Sequence, residues 1–309
     1  MKRLTESKLV LVKRKTRLDE LIARFNTAEQ ARFYVERLGS DFTDYQKEDA
    51  VYKQALRTAE DVLSGIGRLQ VVSREYIPNF IFGEQDIVIA VGQDGLVSNT
   101  LKYLDGQPLI GVNPDPDRWD GVLLPFQVKD LRALLPDVIA NRRPISDVSM
   151  AKSTLNDGQV IYAVNDLFIG QKTHVSARYN IRYNQKSEYQ SSSGIIVSTG
   201  LGASGWLKSI VAGASGITGT NEEISIPVGR QAWGADYLQF TVREPFPSRT
   251  TGVSVVFGRI SADMPMQITS FMPESGVIFS DGIEKDFLEF PSGVVAEITV
   301  AEKKGRLVL

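Results

Sequence analysis

Ile87-Val-Ile-Ala-Val-Gly-Gln-Asp-Gly95 runs directly into Leu96-Val-Ser-Asn-Thr-Leu-Lys-Tyr-Leu104. The run Ile87 to Val91 is apolar throughout and β-branched except at Ala90, the composition of a short strand buried on both faces. Gly92-Gln-Asp-Gly95 then supplies turn chemistry, and Val97, Leu101 and Leu104 recur at helical spacing. A strand, a glycine turn and a helix start present backbone N–H groups to a phosphate. Asp94 falls at the carboxyl end of the strand, where open α/β sheets take ligands. Taken by itself, though, the turn reads more readily as an ordinary Asp-Gly connection.

Outward from this stretch, strands and helices alternate. Lys8 to Arg14 reads as a strand and Arg17 to Phe25 as a helix. Thr27-Ala-Glu-Gln30 is a capping box opening a helix that Gly39 ends. Thr43-Asp-Tyr-Gln46 is a second such box, before a long helix stopped by Gly65 and Gly67. Strands follow at Leu69 to Val72, Ile87 to Val91 and Pro108 to Val112, then a helix from Val128 to Ala140 in which Pro136 is a kink or an end. Alternation of this kind predicts parallel pairing in a Rossmann-like, doubly wound α/β domain over residues 1–145.

Asn141 to Ser146 reads as a linker, and the pattern changes behind it. Val175, Ala177, Tyr179, Ile181 and Tyr183 alternate with His174, Ser176, Arg178, Asn180 and Arg182, the period of a half-buried antiparallel strand. Further strand-like runs are Gly194 to Ser198, Leu238 to Arg243, Val253 to Phe257, Met266 to Phe271, Val277 to Phe279 and Val294 to Val300. One helix stands out, near Gly205 to Ala214. Residues 146–293 are therefore expected to form a β-rich, sandwich-like domain.

Composition excludes several classes of function. The 309 residues are 42% hydrophobic and 23% charged with a net charge of −2, ordinary for a globular protein and without the field of a nucleic-acid binder. There is no cysteine and one histidine, so thiolate catalysis, disulfides and Cys/His metal sites are ruled out. His174, on the polar side of its strand, reads as solvated or structural rather than catalytic. Met1-Lys-Arg-Leu-Thr-Glu6 has charge but no long apolar region behind it, and nowhere does the chain approach the ~20 apolar residues of a membrane span. No membrane or nucleic-acid partner is expected, and the cytoplasm is the default location.

Three more segments carry candidate chemistry. Asn165 and Asp166 interrupt the apolar run Ala163 to Gly170 and would be costly to bury without partners. Gly194-Ile-Ile-Val-Ser-Thr-Gly-Leu-Gly-Ala-Ser-Gly-Trp206 is a strand, a small-residue turn and a helix start; it offers hydroxyls, bare backbone and the flat face of Trp206. Phe279-Ser-Asp-Gly282 puts a second Asp-Gly at a strand end, where a plain hairpin turn is the simpler account.

These four motifs, in this order, resemble the NAD kinase family. Gly111-Val-Asn-Pro-Asp-Pro-Asp-Arg118, Ser192-Ser-Gly194, Trp206 and Val242-Arg-Glu-Pro245 look closest to its mitochondrial-type branch. The resemblance runs from about Lys8 to the C-terminus. It implies transfer of the ATP γ-phosphoryl group to the 2′-hydroxyl of the NAD adenosine ribose, giving NADP, with Mg2+ or another divalent cation and a homo-oligomer, expected to be a dimer. The tail 294–309 would return to the first domain. Asp94 would be catalytic, while Gly92, Gln93 and Gly95 would hold phosphate. Asn165, Asp166, Thr199, Gly202, Ser204, Gly205, Trp206, Ser209 and Asp281 would bind NAD, with Arg243 and Arg249 as candidate phosphate cations. No protein side-chain cage for a metal is expected. Three positions depart from the family pattern. Gln93 replaces a glycine and would be strained at positive φ. Leu96 replaces a threonine hydroxyl, and Ala203 replaces a serine. The alternatives are a same-fold kinase acting on a sugar, nucleoside or lipid hydroxyl, and a non-catalytic NAD- or nucleotide-binding protein.

Overall fold

A computed structural model describes residues 4–219, 227 and 229–309, so Met1 to Arg3 of the opening segment lie outside the described residues. The chain divides into two compact units, the first ending at Ile145 and taking in Arg306–Leu309, the second running Ser146–Gly305.

The first unit contains β1 (Lys8–Lys13), α1 (Arg17–Phe25), α2 (Ala28–Arg37), α3 (Phe42–Ile66), β2 (Arg68–Ser73), β3 (Ile87–Val91), α4 (Asp94–Leu101), β4 (Pro108–Asn113), β5 (Phe126–Gln127) and α5 (Leu131–Ile139). The strands pair in parallel in the order β2-β1-β3-β4, and β5 adds to β4. Arg306 and Leu307 pair in parallel with Pro108 and Leu109, while residues 294–305 of the expected returning tail belong to the second unit. Every residue of β3 is buried, as its unbroken apolar run requires. Leu9, Leu11, Ile89, Val91 and Ile110 pack with Tyr52, Leu56 and Leu63 of α3 and Leu131 and Leu135 of α5.

Helix starts follow the sequence closely. Thr16 and Asp19 form a reciprocal capping box on α1, and the Thr27 hydroxyl accepts from the Gln30 N–H on α2. At α3 the expectation is corrected: Asp41, not Thr43, is the cap, and its carboxylate accepts from the Thr43 N–H at 2.8 Å. A carboxylate two residues earlier wins because it also complements the helix dipole. Pro136 lies inside α5, and the helix continues to Ile139.

The second unit contains β6 (Ile145–Leu155), β7 (Val160–Ala163), β8 (Asp166–Gln171), β9 (Ala177–Tyr183), β10 (Lys186–Ser192), β11 (Ile195–Ser198), α6 (Trp206–Thr218), α7 (Arg230–Trp233), β12 (Tyr237–Val242), β13 (Phe257–Ser261), β14 (Met266–Ser270), β15 (Gly276–Ser280), β16 (Ile283–Glu289) and most of β17 (Val295–Val308). One antiparallel sheet runs β13-β12-β11-β8-β15-β16. A second set runs β10-β9-β14-β17, with β6 on β17 and β7 on β6. Inward residues of both, among them Ile169, Val197, Phe240 and Ile278 from one and Tyr179, Ile181, Ile268 and Ile298 from the other, share one core. The fold is thus an α/β unit followed by a β-rich one.

Two strand expectations are corrected here. Val253 to Val256 form no strand, because the Glu188 carboxylate accepts the Ser254 and Val255 N–H groups at 3.0 and 3.1 Å in place of a neighbouring strand. His174 to Ser176 lie ahead of β9 rather than in it.

Candidate functional site

In the first unit, the carboxyl ends of β1, β3 and β4 carry Arg14, the Gly92 turn and the loop after Asn113. Gly92 N donates to Val112 O at 3.1 Å, which seats the turn on β4. Gln93 has φ −118° and ψ 165°, ordinary extended backbone, so glutamine is unstrained there. Asp94 opens α4 and is half-buried, while Gly95 is exposed. The Asp94 carboxylate is occupied: Leu123 N donates to Oδ1 at 2.8 Å and Val122 N to Oδ2 at 3.3 Å. A carboxylate has about four lone-pair sites, so both oxygens can still accept another donor.

Leu96 is 3% exposed and lies over Gly92, where an added Cβ would come within 2.8 Å of its Cδ2. The position that could hold a hydroxyl therefore packs against the turn with an apolar side chain. Beside it runs a chain of ion pairs. Arg14 meets Glu48 at 2.9 Å; Glu48 also takes Arg17, which meets Asp44 at 2.7 Å; Asp44 takes Arg118 at 2.6 Å. Burial alone would raise the Glu48 carboxyl, but hydrogen bonds from Arg14 and Arg17 bring it below its usual value. Hydrogen bonds from Arg118 and Arg17 hold Asp44 far below the carboxylate range. The Tyr52 hydroxyl ties the array to the strands, donating to Val91 O and accepting from Arg14 N, both at 2.9 Å; burial pushes it up to about 12.

In the second unit the structure gathers Asn165, Asp166, Thr199, Gly202 and Asp281 around one turn. Asp281 sits at φ 54°, just past β15. Its carboxylate accepts the N–H groups of Asn165 at 2.6 Å, Val164 at 3.1 Å and Asp166 at 3.4 Å, and its own N–H donates to Asp166 O at 3.0 Å. Thr199 Oγ1 donates to Val164 O at 2.6 Å and accepts from Gly202 N at 3.1 Å, while Thr199 N donates to Asn165 O at 2.9 Å. Gly202 is required by this approach, since a Cβ would fall 2.2 Å from Asn165 O. Asp281, Thr199 and Gly202 thus act as a frame that sets the direction of Asn165 and Asp166. Among the described residues the Ser204 and Ser209 hydroxyls make only local bonds, to Leu201 O and Gly205 O, at 3.3 Å each.

Asp166 is among the residues lining a pocket of about 550 Å³. Oδ1 is buried and has no hydrogen-bond partner among the described residues. Burial pushes this carboxyl up to about 7, aided by the nearby Asp281 and opposed by the Ser198 hydroxyl. The pocket has an aromatic side. Phe168 stacks with Trp206 at 5.9 Å and 12° and with Phe279 at 6.0 Å and 25°. Arg243 lies over Trp206, with Cζ 5.4 Å from the ring centre, and Lys172 lies over Phe287 at 4.6 Å. His174 lines the same space, so the expectation of a polar strand face is replaced by a pocket wall. Arg249 is exposed and does not line it. The sequence reading missed Phe168 and Lys172 here. Phe168 was accessible in principle, being two residues after Asp166 and so on the same face of β8. Lys172 lies beyond the end of β8, where no periodicity reaches it.

No protein-family model matches the sequence, and neither does any curated protein. Solved structures do match. The fold is that of the nicotinamide-dinucleotide kinases. It is similar over 98% of this chain to the yeast NADH kinase complexed with NADH, covering 84% of that chain with a TM-score of 0.60 at 14% identity. It is similar over the same 98% to an NAD kinase from Archaeoglobus fulgidus in complex with ATP, covering 93% of that chain with a TM-score of 0.57 at 15% identity. Among the described residues no helix is long and apolar enough to cross a membrane, and no cluster of three or more His, Asp or Glu could cage a metal ion.

Proposed function

We propose that the protein is an NAD kinase-like phosphotransferase that moves the γ-phosphoryl group of ATP to the 2′-hydroxyl of the NAD adenosine ribose. The observation that carries this is the frame around Asn165 and Asp166: a half-buried carboxylate, a buried hydroxyl and an obligatory glycine fix a polar turn beside an aromatic pocket. Such investment in one turn suits recognition of a base or ribose by its edges. Asp94 takes the proton of the attacking hydroxyl. The O2′–Pγ bond forms, the bond from Pγ to the β,γ-bridging oxygen breaks, and ADP leaves. Phosphoryl transfer asks mainly for alignment, and the two N–H bonds from Leu123 and Val122 hold the Asp94 carboxylate in a single orientation. With one carboxylate at the turn, the residues fit a magnesium ion held mostly by phosphate oxygens and water. Such an ion would supply charge neutralisation to the phosphates.

The mitochondrial-type assignment and the dimer belong to the same proposal and rest on the family resemblance, with the cytoplasm as the default location. Leu96 favours a second reading, a nucleotide-binding protein without turnover, because its side chain fills the inner side of the phosphate turn. Incubation with NAD, ATP and magnesium separates the two. NADP should form, and Asp94→Asn should lower the rate by about a hundredfold or more. Tight NAD binding with no NADP from any nucleoside triphosphate would establish the second reading instead.

A further inference from the structure

The segment Gly111 to Arg118 has no part in the reaction as proposed, yet it leads into the loop that holds Asp94. Among the described residues, both hydrogen bonds on the Asp94 carboxylate come from residues 114–125, between β4 and β5. The Leu123 peptide is gripped on two sides. Its N–H donates to Asp94 Oδ1 at 2.8 Å, and its carbonyl rests on Gly111 of β4, where an added Cβ would lie 2.0 Å from the Leu123 oxygen. Upstream, Asn113 folds the loop back: its Nδ2 donates to Trp119 O at 2.8 Å, and its Oδ1 accepts from Asp115 N at 3.0 Å.

One further fastening reaches outside the loop. Arg118 Nη1 and Nη2 donate to the two oxygens of Asp44 at 3.1 and 2.6 Å, a forked bond across 74 residues to the first turn of α3. The loop does not need this bond to close, because the Arg118 and Trp119 N–H groups already share Asp115 O at 3.1 Å each. What the fork does is refer the loop to α3. That helix also holds the end of β3, through the Tyr52 hydroxyl on Val91 O at 2.9 Å. The strand end that leads to Asp94 and the loop that supplies its donors are therefore both fastened to one rigid element.

We infer that Arg118 is a positioning residue: its fork on Asp44 holds the 114–125 loop against α3 and so keeps the Leu123 N–H where it orients the Asp94 carboxylate. Its effect on rate rests on the phosphotransferase reading, whereas its effect on the loop does not. The experiment measures both, so the two can fail separately. In the protein without nucleotides, amide hydrogen exchange of the 114–125 peptide should be about threefold or more faster in Arg118→Ala than in the parent. With NAD, ATP and magnesium, Arg118→Ala should lower kcat by about tenfold and leave the KM for NAD within about twofold. In an Asp94→Asn background the same substitution should cause no further loss, because no proton-accepting carboxylate remains to be oriented. Arg118→Lys should recover only part of the rate, since a point charge cannot make the fork. Arg142→Ala, which breaks the exposed pair with Asp137 beside α5, is the control and should change neither readout. Unchanged exchange in Arg118→Ala, or a loss of kcat repeated in full in the Asp94→Asn background, overturns the inference. NADP formation by the parent alongside either result leaves the kinase proposal standing. Faster exchange in a protein that makes no NADP does the reverse.

Discussion

The Gly92 turn of the first unit and the Asn165 turn of the second are both polar interruptions next to buried strands, yet they are finished differently. At the first, the chain satisfies itself. Asp94 braces Val122 and Leu123, Leu96 covers Gly92, and the neighbouring arginines are matched to Glu48 and Asp44. At the second, the frame is closed but what it presents is left open: among the described residues Asp166 Oδ1 has no hydrogen-bond partner, and Lys172 and Arg243 line the pocket without an ion pair. Buried polar groups are normally paired, so an unpaired set beside a cavity marks where binding energy is held in reserve. On the proposed reading, recognition is concentrated in the second unit and the first presents a preset carboxylate.

The largest effect on stability should come from breaking the closed part of the second site. Asp281→Ala removes the acceptor of three N–H groups and places alanine at φ 54°, and should cost about 2–3 kcal/mol, read as a lower Tm. Asp281→Asn keeps an acceptor and tolerates that φ, so it should recover much of the loss; equal losses in the two variants would show that the frame is not what Asp281 provides.

The open part should respond to pH in the opposite sense to a salt-bridged carboxylate. The Asp166 carboxyl is raised from its ordinary 3.8 to about 7, so the folded protein holds a proton that the unfolded chain has lost. Its contribution to stability is fully present below about pH 4, falls as the pH rises through 7, and is constant above. Asp166→Asn is free of this loss, so its Tm relative to the parent should be higher at pH 8 than at pH 5. A difference independent of pH would mean that Asp166 titrates normally.

The smallest effect should be at the rim of the first site. Arg118→Ala breaks a partly exposed pair with Asp44 and should cost at most about 1 kcal/mol, less in high salt. A larger cost would show that the ion-pair chain works as a unit rather than as solvated pairs.

Much of this was legible in the residues. The alternation of Lys8 to Val112, the cap at Thr27, and the change of period after Ser146 depend on local chemistry and on the two repeats of secondary structure. They survived folding because the tertiary packing agrees with them. The Asn165 turn was legible too, since adjacent polar residues in an apolar run must be satisfied somewhere. The partners that satisfy it were not. Asp281 lies 116 residues from Asn165, and no periodicity links the two. The same limit explains the lost strand at Val253, where the distant Glu188 carboxylate replaced a ladder.

Sequence alone determined the α/β unit, the β-rich unit and the existence of polar turns at Gly92 and Asn165, because each follows from interactions within a few residues. Tertiary structure decided which polar groups those turns consume and which they leave exposed to a pocket. Hydrogen bonds and charge pairs are formed between side chains that meet only when the sheets assemble, and it is their imbalance that distinguishes a closed turn from a binding site.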